Sequence, residues 1–349
     1  MESFLVNGWL CPKELMVNSD TDRMMQMITG YWVTQIVHAA ATFSFAEYLA
    51  NGGATAEEIA RAEGTDPSAT FRLLRSCASL GMVTYDGKSR FLATPLLDTL
   101  RKDNPKTLRG MALSLPAPGH WLPWGRFTEA VKTGQSQTLW ALGAGLFEYL
   151  AVNPAEGAAF AEGMTSLTST VAEETARVID TSGVNVVADI GGAHGAMLYA
   201  ILRIHRHLQG IVFDRPNVIA SASAAAGEFG LQERVTTVGG DFFQCVPGAD
   251  LYLLKHILHD WDDAACVCIL RNCRRALRLG GRVAVIEVLL GEIGEPSLAP
   301  IFDVTMMVMS SGRERSLVEY KRLFEAAGLR ATNVISTNTP MTILEAVAG

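Results

Sequence analysis

The chain has 349 residues, enough for one large domain or two of ordinary size. Hydrophobic residues make up 49% and charged residues only 19%, which excludes a disordered protein and indicates a substantial core. The 29 Lys and Arg residues against 36 Asp and Glu residues give a net charge of −7, which disfavours a basic nucleic-acid binder. The most apolar stretch, residues 30–49, is interrupted by polar side chains and does not suit a membrane span. The apolar excess is therefore expected in cores, in a pocket or in a subunit interface.

Residues 1–20 contain neither a basic segment nor an uninterrupted apolar one, so we expect no secretory signal. The six cysteines include no CxxC pair, which favours free thiols in a reducing cytoplasm. Cys266, Cys268 and Cys273 lie in a segment with helical spacing, where only Cys266 and Cys273 share a face. Buried thiols are favoured over a metal site there, and we expect no metal. The cysteines stand at positions 11, 77, 245, 266, 268 and 273.

A wide apolar stripe runs along the segment from Asp22 to Ala50. Large side chains recur there at helical spacing, which predicts a helix. The stripe favours two interpretations equally, an ordinary core helix and a surface that binds a partner. Its members are Met24, Met27, Ile28, Trp32, Val33, Ile36, Val37 and Ala40.

The next segment has the order helix, helix, hairpin. Thr55 followed by Glu58 is a capping box that opens one short helix, and Asp66 with Pro67 opens a second. Residues 82–93 alternate around an Asp-Gly turn, which predicts a β-hairpin. This order is typical of a winged helix.

Winged helices often bind DNA, but the charge of this one argues against it. Residues 51–100 contain five Lys or Arg and six Asp or Glu residues. A surface that binds DNA offsets phosphate charge with a basic patch. A DNA-binding regulator is therefore the least favoured hypothesis, and we expect no nucleic-acid partner.

Residues 103–180 are predicted to be helical and irregular, with many aromatic and methionine side chains. These residues suit either ordinary core packing or a pocket for a flat apolar ligand. They are Trp121, Trp124, Phe127, Trp140, Phe147, Tyr149, Phe160 and Met164.

From Val184 onward, apolar strand patterns alternate with helices. This pattern predicts a doubly wound, Rossmann-like α/β domain behind a mainly helical N-terminal part. We place the domain limits at residues 1–102, 103–180 and 181–349. The predicted strands cover residues 186–190, 210–214, 235–238, 251–254 and 281–287.

Three of these strands end in residues that suit a nucleoside. The first ends in Asp189 and a glycine-rich turn, and the second ends in Asp214, a carboxylate suited to ribose hydroxyls. The third is followed by Asp241 and Phe242, which can accept a hydrogen bond from an amine and stack on a ring. The turn does not fit GxGxxG, and the chain has no GxxxxGK[ST] loop. The pattern indicates a nucleoside cofactor without phosphates.

Five motifs stand in this part of the chain: DIGGAHG from Asp189, FDRP from Phe213, GDFF from Gly240, LKHILHDWD from Leu254 and GGRV from Gly280. With them the sequence resembles the S-adenosylmethionine-dependent O-methyltransferases of plant caffeate type and of bacterial aromatic natural-product pathways. The resemblance covers most of the chain, and its most specific part is the His-Asp-Trp stretch.

The resemblance implies a homodimer formed through the winged helix. It also implies transfer of a methyl group from S-adenosyl-L-methionine to a hydroxyl of an aromatic small molecule in secondary metabolism, which leaves S-adenosyl-L-homocysteine.

The resemblance also implies roles for single residues. Asp214 is expected to bind the ribose, and Lys255 is expected to contact the adenine together with Asp241 and Phe242. The cofactor-binding set is Asp189, Gly191, Gly192, Asp214, Arg215, Asp241, Phe242 and Lys255. The expected substrate-binding set is Trp121, Phe127, Met164, His256, Asp303 and Met307.

His259 is the expected general base. Glu287 is its expected orienting partner and Glu319 the second, although Glu319 also suits the first turn of a helix over residues 319–327. His256 lies one helical turn earlier and competes for the role of base. Asp303 suits two interpretations equally, a residue that lines the substrate pocket and an ordinary core residue.

Besides His256, two residues depart from the family pattern. Ala193 stands where a third glycine is usual, and its Cβ is expected to be tolerated only with a negative φ. The sequence offers no role for His194, which would stand beside a sulfonium cofactor.

The second hypothesis for the function is an enzyme of the same fold that uses the cofactor structurally and carries out hydroxylation or decarboxylation. The presence of His259 together with Glu287 argues against this hypothesis.

Overall fold

The computed structural model describes residues 19–349. The predictions for residues 1–18, which concern the secretory signal and Cys11, lie outside the described residues. Two compact units can be distinguished: one comprises the described residues up to Trp121 together with Asn153–Ser166, and the other comprises Leu122–Val152 and Leu167–Gly349. The middle segment predicted over residues 103–180 is shared between both units.

The secondary structure is dominated by helices before residue 180 and alternates afterwards. The helices are α1 Asp20–Thr42, α2 Phe45–Leu49, α3 Ala56–Glu63, α4 Pro67–Ser79, α5 Pro95–Asp98, α6 Arg109–Ser114, α7 Pro118–Trp124, α8 Phe127–Thr133, α9 Thr138–Leu142, α10 Leu146–Val152, α11 Pro154–Val178, α12 Ala196–Ile204, α13 Pro216–Glu228, α14 Asp263–Ala276, α15 Ala299–Met309 and α16 Leu317–Ala326. The strands are β1 Val83–Tyr85, β2 Phe91–Ala93, β3 Val186–Ile190, β4 Gln209–Asp214, β5 Val235–Gly239, β6 Ala249–Lys255, β7 Leu277–Val288, β8 Leu329–Ser336 and β9 Met341–Ala348. A short 3₁₀ turn covers Leu258–Asp260.

The first unit opens with α1, whose N-terminal half is apolar and exposed. The single helix predicted from Asp22 to Ala50 is two helices, because Ser44 adopts a left-handed conformation with φ of 51°. Six large side chains of α1 are each more than half exposed in the isolated chain, a patch of the kind that marks an interaction surface. They are Met24, Met25, Met27, Ile28, Tyr31 and Trp32.

The winged helix is confirmed. Thr55 accepts the backbone N–H of Glu58, and the Glu58 carboxylate accepts the backbone N–H of Thr55, so the predicted capping box opens α3. Pro67 opens α4 behind the N-cap Asp66. The hairpin β1–β2 is antiparallel, and its Phe91 packs into the core of this unit.

The second unit is built on a seven-stranded sheet of order β5-β4-β3-β6-β7-β9-β8. The first five strands are parallel, as predicted, and β9 and β8 add antiparallel pairs that the sequence analysis did not include. Successive residues of β3 face opposite cores, with Val187 in one and Ala188 in the other, because strand side chains alternate. The doubly wound, Rossmann-like fold is confirmed.

The cysteines of α14 have the burial that their spacing predicts. Cys266 and Cys273 are buried on one side of the helix, whereas Cys268 is only half-buried.

None of the helices within residues 19–349 has the length and apolarity needed to cross a bilayer.

Candidate active site

The candidate site lies where the parallel strands end. Asp189 and Asp214 stand at the ends of β3 and β4, and Asp241 follows β5. Lys255 ends β6, and Glu287 is the second-last residue of β7. Because the carboxyl ends of parallel strands meet at one edge of the sheet, the fold gathers the predicted residues there.

The glycine-rich turn after β3 is packed too tightly for side chains. A Cβ on Gly191, whose φ is 70°, would collide with the side chain of Ile257. A Cβ on Gly192 would lie 2.8 Å from the carboxyl carbon of Asp189. Both glycines therefore keep bare backbone at the strand end, where a ligand can approach it closely.

The prediction of a negative φ at Ala193 is wrong. Its φ is 49°, in the left-handed region that costs an L-residue about 1–2 kcal/mol. The backbone N–H of Ala193 donates to Oδ2 of Asp214 at 2.9 Å, which holds the turn against this cost. The turn after β3 is thereby tied to the carboxylate that ends β4.

Asp214 has the surroundings of a group that binds hydroxyls. Its Oδ1 accepts the backbone N–H of Arg215 at 2.7 Å, and both oxygens keep lone pairs for further donors. Burial raises the pKa of Asp214, while these hydrogen bonds, Arg215 and His194 favour the ionised form. His194 thus lies close enough to act on this carboxylate, and the guanidinium of Arg215 lies over the ring of Phe147, 5.3 Å from its centroid.

Asp241 and Phe242 form the loop after β5, as predicted. Oδ1 of Asp241 accepts the backbone N–H of Phe243 at 2.9 Å. The ring of Phe242 meets the ring of Trp261 edge to face, with centroids 6.0 Å apart, and lies near Gly191. A flat group that binds in this loop would therefore border the glycine turn.

Lys255 ends β6, and its ammonium group donates to Oγ1 of Thr168 at 3.0 Å. Burial lowers the pKa of Lys255 to about 8, although Glu287 and Asp189 favour its charge. Lys255 therefore lies close enough to act on both Asp189 beside the glycine turn and Glu287 beside the candidate base. Its predicted contact with adenine stays a prediction.

His259 lies in the 3₁₀ turn after β6, surrounded by carboxylates. Its Nδ1 is 2.8 Å from Oε1 of Glu314 and 4.0 Å from Oε2 of Glu287. Its Nε2 is 3.7 Å from Oδ1 of Asp260, beyond hydrogen-bond distance. Because a carboxylate only accepts, Nδ1 carries a proton and Nε2 of the neutral ring is the acceptor.

The prediction that Glu319 flanks His259 is wrong, and Glu314 takes that place. Glu319 closes a capping box with Ser316 at the start of α16 and pairs with Arg313. Glu314 was not predicted from the sequence, because no periodic pattern singles it out. Asp303, expected as pocket wall or core, accepts the backbone N–H of Glu314 at 3.0 Å and so positions this carboxylate.

The acidic surroundings change the protonation of the cluster. Burial by itself lowers the pKa of His259, but Glu287, Asp260 and Glu314 outweigh it and raise the pKa to about 9. Burial raises the pKa of Glu287 to about 7. The charges of Glu314 and Asp260 also raise it, whereas His259 lowers it. Oε2 of Glu287 and Oε2 of Glu314 are buried without a hydrogen-bond partner. The imidazolium is thus the favoured form of His259 near neutral pH.

The same three side chains form a possible ligand set, which the sequence analysis did not foresee. Ligand atoms of His259, Glu287 and Glu314 lie within 4.8 Å of one another. Ligands of a tetrahedral zinc ion lie about 3.4 Å apart, given bond lengths near 2.1 Å. The 2.8 Å contact between His259 and Glu314 is shorter than this and is a direct hydrogen bond.

Two features hold the turn of His259 in place. The buried guanidinium of Arg315 donates to the carbonyls of Leu258 and Trp261 at 2.9 and 2.7 Å. Gly312 packs against the same turn so closely that a Cβ would collide with the carbonyl oxygen of His259. His259 and Glu314 are therefore fixed relative to each other by contacts to the backbone of this turn.

The predicted substrate residues fall in several places. Phe127 and Met307 pack in one cluster with Trp124 in the second unit. Trp121 and Met164 belong to the first unit. The ring of His256 stacks on that of His259, with centroids 4.7 Å apart and planes 17° apart.

Comparisons with known proteins cover almost the whole chain. The model of an O-methyltransferase domain matches residues 124–330, and the model of an O-methyltransferase dimerisation domain matches residues 25–103. A phenazine O-methyltransferase from Lysobacter antibioticus is 37% identical over 93% of this chain and 95% of its own.

Solved structures agree with these matches. The mitomycin 7-O-methyltransferase is 32% identical, with a TM-score of 0.88 over 94% of this chain and 98% of that one. An O-methyltransferase from neocarzinostatin biosynthesis, solved with S-adenosyl-L-homocysteine and 1,4-dihydroxy-2-naphthoic acid, is also 32% identical. Its TM-score is 0.77 over 91% of this chain and 96% of that one.

The left-handed conformation of Ala193 gives a stability prediction. Ala193→Gly should raise the free energy of unfolding by roughly 0.5–1 kcal/mol, because glycine adopts this conformation without a Cβ penalty. As a matched control, Ala200→Gly inside α12 should lower it by about 1 kcal/mol. Urea unfolding measures both, and a loss of stability in Ala193→Gly would contradict the conformation described.

Proposed function

The chain belongs to the family of O-methyltransferases that carry a dimerisation domain. We propose that in this enzyme His259 deprotonates the substrate hydroxyl that receives the methyl group. The enzyme is an S-adenosylmethionine-dependent O-methyltransferase that acts on an aromatic small molecule. The observation that carries the proposal is the 2.8 Å hydrogen bond between His259 and Glu314, at the strand ends that hold the cofactor turn.

The residues at the strand ends fit this cofactor. Gly191 and Gly192 leave bare backbone at the turn, and Asp214 keeps lone pairs for two ribose hydroxyls. Asp241 and Phe242 suit an amine and a flat ring. When bound, S-adenosylmethionine supplies an activated methyl group. We propose that the cofactor-binding set is Asp189, Gly191, Gly192, Asp214, Arg215, Asp241, Phe242 and Lys255.

The raised pKa of His259 makes proton transfer from a phenol easier. A phenol near pKa 10 and an ordinary histidine near 6.5 differ by about 3.5 units, which is about 5 kcal/mol. With the pKa of His259 at about 9, the gap falls to roughly one unit, or about 1.4 kcal/mol. The carboxylates of Glu287 and Glu314 therefore assist catalysis by stabilising the imidazolium that forms.

Glu314 also orients the base. Its hydrogen bond to Nδ1 fixes the tautomer, so Nε2 accepts the proton of the substrate hydroxyl. Asp303 holds the backbone of Glu314, which makes it a positioning residue for this pair. Glu287 adds charge from the buried side, 4.0 Å from Nδ1.

The substrate we propose is a flat aromatic molecule with a free hydroxyl, of phenol, phenazine or polyketide type. Phe127 and Met307 supply apolar surface in the second unit, and Trp121 and Met164 remain candidates from the first. The relatives that act on phenazine and mitomycin support a role in secondary metabolism, such as antibiotic biosynthesis. All described cysteines are free, which supports a cytoplasmic location.

The proposed function is tested with the purified protein, methyl-labelled S-adenosylmethionine and a panel of phenols, phenazines and polyketide aromatics. We expect label on a hydroxyl of at least one panel member. His259→Gln should reduce kcat by about 10²-fold or more, as loss of a general base does, with cofactor affinity nearly unchanged. A product that is hydroxylated or decarboxylated instead of methylated would favour the structural use of the cofactor.

The carboxylates around His259 predict how kcat/KM depends on pH. His259 must be neutral to accept a proton, so kcat/KM should rise with pH, with the midpoint of the rise near pH 9. Glu314→Gln removes a negative partner and should shift this rise to lower pH, with a lower maximum. Glu319→Gln is the matched control and should keep the wild-type profile, because Glu319 caps α16. If Glu319→Gln moves the profile and Glu314→Gln does not, the assignment of Glu314 is refuted.

We further propose a homodimer in which the exposed stripe of α1 is buried. The dimerisation-domain model covers residues 25–103, which include most of this stripe. The double variant Met27→Asp and Trp32→Asp should weaken the dimer by 100-fold or more, because it places two charges on the apolar face. Sedimentation equilibrium measures the effect. Leu279→Asp, which changes an exposed leucine of the second unit, should leave the dimer intact.

A further inference from the structure

His256 occupies an unfavourable backbone conformation directly before the catalytic turn. Its φ is 52°, in the left-handed region that favours glycine, and its N–H donates to the carbonyl of Ile286 at 3.2 Å. Strain of this kind persists where the surrounding structure enforces it, and such positions cluster at active sites. The fold thus accepts strain in order to place this imidazole.

The strained residue covers one face of the candidate base. The rings of His256 and His259 are 4.7 Å apart and inclined by only 17°, which is a face-to-face stack. The two nitrogens of His259 lie at the ring edge, where Nδ1 bonds Glu314 and Nε2 is left for the substrate. The stack therefore acts on the ring plane without competing for either nitrogen.

We propose that His256 is a positioning residue that fixes the plane of the His259 ring and supports its imidazolium form by stacking. This inference rests on the proposed function, because it takes His259 as the base. A neutral aromatic face attracts a cation placed over it, so the stack favours the state that exists after proton transfer.

The charges around His256 keep its ring neutral. Burial lowers its pKa well below the usual value, and the adjacent Lys255 and His259 lower it further. The carboxylates of Asp260, Glu287 and Glu314 act on His259 instead. Of the two stacked rings, only His259 therefore carries the charge near neutral pH.

The same contacts argue against His256 as the base. Among the described residues, the ion pairs of the two histidines all involve His259, with Asp260, Glu287 and Glu314 as partners. A ring without a carboxylate partner has no group to stabilise the proton it would accept.

The test compares ring shape with ring nitrogen in the full-length enzyme. His256→Phe keeps a flat ring and removes both nitrogens, and kcat should stay within about 3-fold of wild type with the same pH profile. His256→Leu keeps apolar volume without a ring, and kcat should fall by 10-fold or more. Its kcat/KM rise should move to lower pH, because the imidazolium has lost support. The affinity for S-adenosylmethionine, measured by calorimetry, should change by less than 3-fold in both variants.

His256→Gly separates positioning from stability. It removes the stack and also relieves the left-handed strain, so its Tm should equal or exceed that of His256→Leu while kcat falls to a similar extent. The proposal is overturned if His256→Phe loses as much activity as His259→Gln, since a ring nitrogen would then be essential. It is also overturned if His256→Leu and His256→Gly keep wild-type kcat and pH profile. Full activity of His259→Gln would instead refute the proposed function.

Discussion

One buried guanidinium, that of Arg315, holds together the candidate active site. It donates to the carbonyls of Leu258 and Trp261, on either side of His259, and to the carboxylate of Asp263 at the start of α14. A buried donor that loses its acceptor costs about 1–3 kcal/mol, so these carbonyls and the guanidinium stabilise one another. Since Glu314 directly precedes Arg315, the same side chain fixes His259 and the carboxylate that is hydrogen-bonded to it.

The charges gathered at this edge of the sheet suit a positively charged cofactor. Six buried or half-buried ionisable groups meet there, four acidic and two basic: Asp189, Asp260, Glu287 and Glu314 with Lys255 and His259. Burial raises the pKa of Asp189 to about 7, and the nearby Lys255 opposes this shift. If S-adenosylmethionine binds at the glycine turn as proposed, its sulfonium adds a second cation near this carboxyl.

The sequence predicted the sheet and its strand-end carboxylates because both follow local rules. Buried strands read as apolar runs, and the residues that end them meet at one edge whatever the details of packing. Glu314 escaped prediction because it reaches His259 across 55 positions of the chain, through a loop whose course only the folded structure defines. The φ of Ala193 escaped because its residue type argues against the conformation, and the compensating bond to Asp214 is a tertiary contact.

Gly312 limits how the loop before α16 can vary. Its backbone lies against the carbonyl of His259 with no room for a side chain, so this loop and the 3₁₀ turn must change together or remain as they are. Phe127 and Met307 are under no such constraint, because they pack through side chains against Ala130, Val308 and Met309. Substitutions are therefore easier to accommodate in that cluster than at the contact between Gly312 and His259.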